Sequence, residues 1–250
     1  MIKAIILAAG SSKRLRPLTN DKPKCLLKLN GTTILDYQIT ALKKAGINQI
    51  LLVIGYKKEM IINHTKNING ILFIENNAFD KTDNAYSTLL ALRHINPKTD
   101  SAIILDGDII FDPHLLQKLA NCKHTNVMIV DNIKPIEPED CKVKIEKGSA
   151  TAIGKKVNGQ TLYTSMIKIG GTLLNDFISE LEKPRSKSEW YSEPLNRLIQ
   201  QDNSKNIQRI RAIPTENLPR CEIDTWHDLL NARKIYHNLC KRRQNKKLED

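Results

Sequence analysis

The stretch Ala4-Ile5-Ile6-Leu7-Ala8-Ala9-Gly10-Ser11-Ser12-Lys13-Arg14-Leu15-Arg16-Pro17-Leu18-Thr19-Asn20-Asp21-Lys22-Pro23-Lys24 decides how this chain is read. Its first four residues are a continuous apolar run, the pattern of a buried strand. A turn of small residues follows at once. Such a turn lets a ligand approach the backbone and offers free N–H groups to an anion. Two cations, Arg14 and Lys24, arrive on a connection far longer than the ~6 residues usual between a strand and a helix. Pro17 and Pro23 stiffen that connection, because each fixes its own φ and restricts the residue before it. Small-residue turn and trailing cations together suit a polyphosphate anion.

The chain has 250 residues, 40% hydrophobic and 26% charged, enough for a sizeable core. No apolar run approaches the ~18 residues needed to span a bilayer, and no leader pattern opens the chain, so a soluble, cytoplasmic protein is expected. The five cysteines are scattered without a CxxC, and the six histidines lack an HExxH spacing. This argues against a disulfide framework or a zinc site. The net charge of +12 is partly carried by the segment Lys241-Arg242-Arg243-Gln244-Asn245-Lys246-Lys247. The remaining lysines are dispersed, with no aromatic-interleaved basic stripe, so anionic small molecules are favoured over specific nucleic acid.

Working outward, strands are expected at 3–7, 49–54, 71–75, 102–105 and 126–131. Helices are expected at 33–45, 57–66, 84–95 and from Asp112-Pro113 to about 122. Strands alternating with helices indicate a doubly wound, mostly parallel α/β sheet. After about residue 135 the rhythm changes. Val143 and Ile145 alternate with charged neighbours, and strand-like runs at 151–157 and 162–169 suggest a small antiparallel insertion beside the sheet. Helices at 172–182 and 190–201, a strand at 207–213 and a helix at 225–240 follow. The expectation is one domain over 1–240, with a lobe over 135–205 and a basic tail over 241–250.

Three clusters carry chemistry. Asp106-Gly107-Asp108 stands where an apolar strand ends, and open α/β sheets bind ligands at the carboxyl ends of their strands. Two carboxylates there suit Mg²⁺, although the same residues also serve ordinary turns. In Glu222-Ile223-Asp224, Asp224 either caps the next helix or faces the site. Thr225 and Asp228 form a capping box by themselves, which frees Asp224. Between them, the run 76–87 is rich in amides and hydroxyls able to read a nucleobase edge, or simply to cap a helix at Asp83 or Asn84.

The first motif, L-A-A-G, a Gly/Ser pair, R-L, P-L-T and P-K, resembles the nucleotidyltransferase superfamily that activates sugar phosphates and phosphocholine. Ser12 replaces a common Gly, and Lys13 stands where Ser or Thr is frequent. Asn84-Ala85-Tyr86-Ser87, Leu105-Asp106-Gly107-Asp108, Glu139-Asp140-Cys141-Lys142-Val143 and Glu222-Ile223-Asp224-Thr225 resemble the phosphocholine and aminoethylphosphonate cytidylyltransferase branch. One departure is Cys221, where relatives often carry an aromatic residue. The resemblance reaches to about Tyr236 and implies a Rossmann-like fold.

The resemblance also implies roles. Leu7, Ala8, Ala9, Gly10, Ser11 and Ser12 wrap the nucleotide, with Asn84, Ser87 and Asp106 nearby. Arg14 and Lys24 bind its phosphates as the catalytic cations, and Asp108 and Asp224 hold Mg²⁺. Lys142 meets the acceptor's phosphate. Glu189, Trp190, Tyr191 and Glu193 accommodate a cationic head group, an assignment with a physical basis because aromatic faces and carboxylates bind quaternary ammonium. The implied reaction joins CTP to a small phosphorylated acceptor and releases pyrophosphate. The alternatives are a sugar-1-phosphate nucleotidyltransferase using UTP, GTP or dTTP, and a D-x-D glycosyltransferase. A homodimer is an assembly compatible with this reading.

Overall fold

A computed structural model describes the chain apart from Asn206, Gln208 and Asp250, with backbone only for residues 243–249. Strand β1 (Ile2–Ala8) leads into the long connection, which ends in the small hairpin of β2 (Lys28–Leu29) and β3 (Thr32–Thr33). Then come α1 (Ile34–Lys44), β4 (Ile50–Ile54), α2 (Lys58–Thr65), β5 (Ile71–Glu75), α3 (Asn84–Leu92) and β6 (Ser101–Asp106). They are followed by β7 (Ile109–Phe111), α4 (Pro113–Asn121), β8 (Val127–Asp131), β9 (Lys142–Glu146), β10 (Ser149–Gly154) and β11 (Thr161–Gly170). Last are α5 (Gly171–Leu181), α6 (Ser192–Asn203), β12 (Arg211–Pro214), β13 (Arg220–Glu222) and α7 (Trp226–Glu249).

Strands β5, β4, β1 and β6 run parallel as one half of a sheet ordered β5-β4-β1-β6-β11-β8-β12-β10-β9. Alternate residues feed opposite layers, as the period of two requires. Ile5, Val53 and Ile104 pack with residues of α3, α5 and α6. Ala4, Ile6, Leu52 and Leu105 pack with α1 and α4 on the other face. A third cluster joins Leu15, Leu27, Leu29 and Ile34 to Leu229, Ala232 and Leu239 of α7. That last helix thus clamps the long connection and, with it, the two cations.

Three expectations change. The antiparallel strands do not sit beside the sheet; they complete it. β11 pairs antiparallel with both β6 and β8, and all but its first residue is buried or nearly so. An apolar strand of that length must be covered on both faces, which a peripheral insertion cannot offer. The final helix does not stop near 240. It continues to Glu249, consistent with the absence of Gly or Pro from 226–249, so the basic segment is helical as far as the described residues go. The strand expected over 207–213 is confined to Arg211–Pro214, with Gln208 outside the described residues.

Candidate active site

The site lies at the carboxyl ends of β1 and β6, which run side by side with Leu7 opposite Asp106. Gly107 makes the junction possible. Its N–H donates to the Leu7 carbonyl at 2.9 Å. A Cβ at Gly107 would stand 2.6 Å from that same oxygen. After the junction, β7 zips to β13, placing Glu222 opposite Ile109, and Ile223 N–H donates to the Asp108 carbonyl at 3.0 Å. Ile223 is buried inward, so its neighbours Glu222 and Asp224 share the opposite side.

The result is a charged knot. Lys24 Nζ lies 2.7 Å from Asp108 Oδ2 and 2.9 Å from Asp224 Oδ1. The exposed Arg14 reaches the same Asp224 oxygen at 2.8 Å. Burial acts to lower the Lys24 pKa, but the facing Asp108 and Asp224 carboxylates outweigh it and hold the ammonium above the usual lysine range. Burial, then the nearby Asp108 and Asp224, push the Glu222 carboxyl up to about 7, against the pull of Lys24 and Arg220. Burial also pushes the Asp106 carboxyl well up, helped by Asp108 and Glu222 and opposed by Ser165 and Lys24. These are carboxylates short of positive charge.

Carboxylate oxygens of Asp108, Glu222 and Asp224 lie within 4.8 Å of one another. The donor set is oxygen only, and Asp108 Oδ1 is buried without a hydrogen-bond partner. An all-oxygen cluster with an unused buried oxygen fits a hard divalent cation. Thr225 and Asp228 do form a reciprocal capping pair, at 2.8 and 3.2 Å, so the Asp224 carboxylate is free of capping duty. Glu222 is the acidic residue that sequence reasoning passed over. The signal was present in its spacing, since residues two apart on an extended segment share a face.

A cavity of about 610 Å³ opens over this knot. It is lined by the whole turn Leu7 to Ser12, by Arg14 and Lys24, and by Asn84, Ser87, Asp106, Asp108 and Asp224. Ser12 bends the turn with a left-handed φ of 48°, and a Cβ built on Gly10 meets nothing within 4 Å. The turn therefore faces open space. Asn76, unassigned from sequence, is buried beneath this cavity and donates to Ser87 Oγ at 3.0 Å. Asn84 Oδ1 accepts from Tyr191 N–H at 2.9 Å, tying α3 to the start of α6.

An adjoining cavity of about 300 Å³ shares Arg14, Asn84, Trp190, Asp106, Glu222 and Asp224 with the first. Trp190 and Tyr191 line it, but three other expected acceptor residues do not. Lys142 turns away, donating to the Pro138 carbonyl at 3.2 Å, whereas its neighbour Cys141 faces the cavity. Glu189 is buried and paired with Arg197, which also bridges to Glu180 of α5. A buried carboxylate needs such a partner, and here the partner lies within the helix packing. Glu193 accepts from the Trp190 N–H at 2.9 Å, satisfying a free donor at the start of α6. The cations at this cavity are instead Arg14, Lys134, Lys155 and Arg220. Ser165 also lines it, carried on a left-handed residue (φ 58°) at an irregularity in β11. Backbone strain of this kind tends to gather at functional sites.

Comparison with known proteins adds the family. The model of the MobA-like NTP transferase domain matches residues 4–143, more than half of the chain. The chain belongs to this family. Within it, the chain is 33% identical over 199 residues to the CTP:phosphoglutamine cytidylyltransferase of Campylobacter jejuni, covering 72% of this chain and 78% of that one. It is 34% identical over 115 residues to the UTP–glucose-1-phosphate uridylyltransferase of Haloferax volcanii, covering 46% of each. The inositol-1-phosphate CTP transferase of T. maritima superposes with a TM-score of 0.77 over 95% of both chains, at 23% identity. That likeness establishes the Rossmann-like α/β fold. The stretch from Leu7 to Lys24 lies within the matched range, and it meets the acidic knot in one cleft.

Proposed function

We propose that this enzyme transfers a cytidylyl group from CTP to a small phosphorylated acceptor, releasing pyrophosphate. The observation that carries the proposal is Lys24 held between Asp108 and Asp224 at the mouth of the turn. CTP is preferred to UTP because the chain's relatives include CTP:phosphoglutamine, choline-phosphate and 2-aminoethylphosphonate cytidylyltransferases.

An acceptor phosphate oxygen attacks the α-phosphorus in line; the new P–O bond forms as the bond to the β-phosphate oxygen breaks. A phosphomonoester is largely dianionic at neutral pH, its second pKa being ~6, so no general base is needed. The obstacle is repulsion between two anions, which positioning and fixed positive charge overcome. Arg14 and Lys24 meet the phosphates. Asp108, Asp224 and Glu222 are the residues that would hold Mg²⁺, which would neutralise phosphate charge when bound. The N–H groups of the turn Leu7 to Ser12 face the nucleotide, and Asn84 and Ser87 lie toward base and ribose.

A pyrophosphate-release assay over four nucleoside triphosphates tests the reading, each paired with phosphomonoesters, a phosphonate and sugar 1-phosphates. Turnover with CTP and a non-sugar phosphate is expected. Turnover confined to UTP, GTP or dTTP with a sugar 1-phosphate would overturn it.

A further inference from the structure

The acceptor cavity contains a cation where a cationic head group was expected to dock. Lys155 Nζ lies 3.8 Å from the centre of the Trp190 ring, over its face. That contact is built in by packing. Lys155 follows directly on β10, whose Ile153 N–H donates to Asn196 Oδ1 of α6 at 2.9 Å. Gln200 and Asn203 of the same helix donate to the Thr151 carbonyl at 3.1 and 2.6 Å. Trp190 is fixed at the start of that helix by Glu193. An aromatic face already covered by an ammonium repels a second one.

The charges around Lys155 point the same way. Arg14 is engaged by Asp224, and Arg220 by Asp131 at 3.3 Å. Lys134 and Lys155, by contrast, make no ion pair within 4 Å among the described residues, although both line the cavity. Glu137 and Glu139, on an exposed loop, line the same cavity, as do Asp140 and Asp228. Such a cavity offers both cations and carboxylates, Lys134, Lys155, Glu137 and Glu139, that make no ion pair among the described residues.

From this the geometry points to an acceptor with a carboxylate beside its phosphate, the carboxylate directed to Lys155, and to Lys155 as the residue that sets this preference. An ammonium on the same molecule meets the acidic loop, so the substrate class is a zwitterionic phosphorylated acid, not a phosphorylated quaternary amine. The inference rests on the cytidylyl-transfer reading.

The test is calorimetric titration of the full chain, first with magnesium and α,β-methylene-CTP, then with phosphoserine, phosphoethanolamine or phosphocholine. Phosphoserine differs from phosphoethanolamine only by its carboxylate. Phosphoserine should bind at least ~10-fold more tightly than either amine, in keeping with a charge-assisted contact. Lys155→Met should reduce that ratio at least ~10-fold, and Lys155→Arg should largely preserve it. Phosphocholine binding as tightly as phosphoserine, a ratio unmoved by Lys155→Met, or no phosphoserine binding to the nucleotide-loaded enzyme would overturn the inference alone. Failure of the CTP analogue itself to bind would overturn the cytidylyl-transfer reading beneath it.

Discussion

The two cavities of the cleft meet at the same acidic knot yet are built in opposite ways. The larger one is lined mainly by continuous segments, Leu7 to Arg14, Phe79 to Asn84 and Asp106 to Asp108, each leaving the end of a strand or entering a helix. The smaller one is lined by shorter pieces of more segments, drawn from 137–141, 162–165, 190–192 and 220–228, with Lys134 and Lys155 added singly. A long contiguous segment carries a plain motif, whereas a wall pieced together from short runs and single lysines carries a weaker one. Polyphosphate recognition, which depends on backbone N–H groups and fixed charge, belongs to the first kind. On the proposed function, acceptor choice belongs to the second and is free to change without disturbing the first.

Lys24→Ala removes the cation held between Asp108 and Asp224 and should have the largest effect. Removing one preorganised electrostatic contact costs about 10²- to 10³-fold in kcat. The same change leaves Asp108 and Asp224 facing each other with less compensation, so a fall in Tm should accompany it. Pyrophosphate release and thermal unfolding measured on the same preparation check both. Near-normal turnover would remove Lys24 from the chemistry and leave the two cavities unconnected.

Gly107→Ala comes next, because it breaks the strand junction on which the shared knot is hung. The new Cβ would press on the Leu7 carbonyl, a backbone atom that cannot swing aside. Overpacking of this kind costs ~1–3 kcal/mol, readable as a lowered midpoint in denaturant unfolding.

Glu222→Gln sharpens the comparison through pH. Burial and its acidic neighbours raise the folded Glu222 pKa from 4.5 to about 7. A raised carboxyl favours the protonated folded state, so metal-free protein loses stability as pH climbs from about 4.5 through about 7. The Gln variant is spared that loss. Metal-free Glu222→Gln should therefore exceed the wild type by of order 1 kcal/mol at pH 8 and match it near pH 4.5. Saturating magnesium should shrink the gap, since the cation compensates the wild-type carboxylate. Equal pH profiles for the two proteins would take Glu222 out of the acidic knot.

Glu189→Gln should have the smallest effect on acceptor use. Its carboxylate serves Arg197 inside the helix packing, so the loss should appear in Tm, while the acceptor KM stays within ~2-fold. A rise in acceptor KM without loss of stability would return Glu189 to the acceptor cavity.

The same contrast explains what could be read from the chain beforehand. The parallel half of the sheet was plain in its apolar runs, because strands buried on both faces read as unbroken hydrophobic stretches. The residues lining the larger cavity were plain because they lie within motifs at strand ends. The central place of β11 was not, since an apolar run does not say which neighbours it pairs with. Nor was the orientation of Lys142, Glu189 and Glu193. Each sits in a segment that reaches the acceptor cavity, but a shift of one residue along the chain reverses the face presented. Lys155 and Lys134 gave no signal at all among 39 lysines and arginines.

The central claim is that the turn, its two cations and the acidic knot act as one site for a nucleoside triphosphate with a divalent metal. Calorimetric titration of CTP into the full chain, with and without magnesium, tests it most directly. Binding should strengthen at least ~10-fold with magnesium, and Asp108→Asn should abolish that gain. Absence of any metal-dependent uptake of CTP, UTP, GTP or dTTP would contradict the claim.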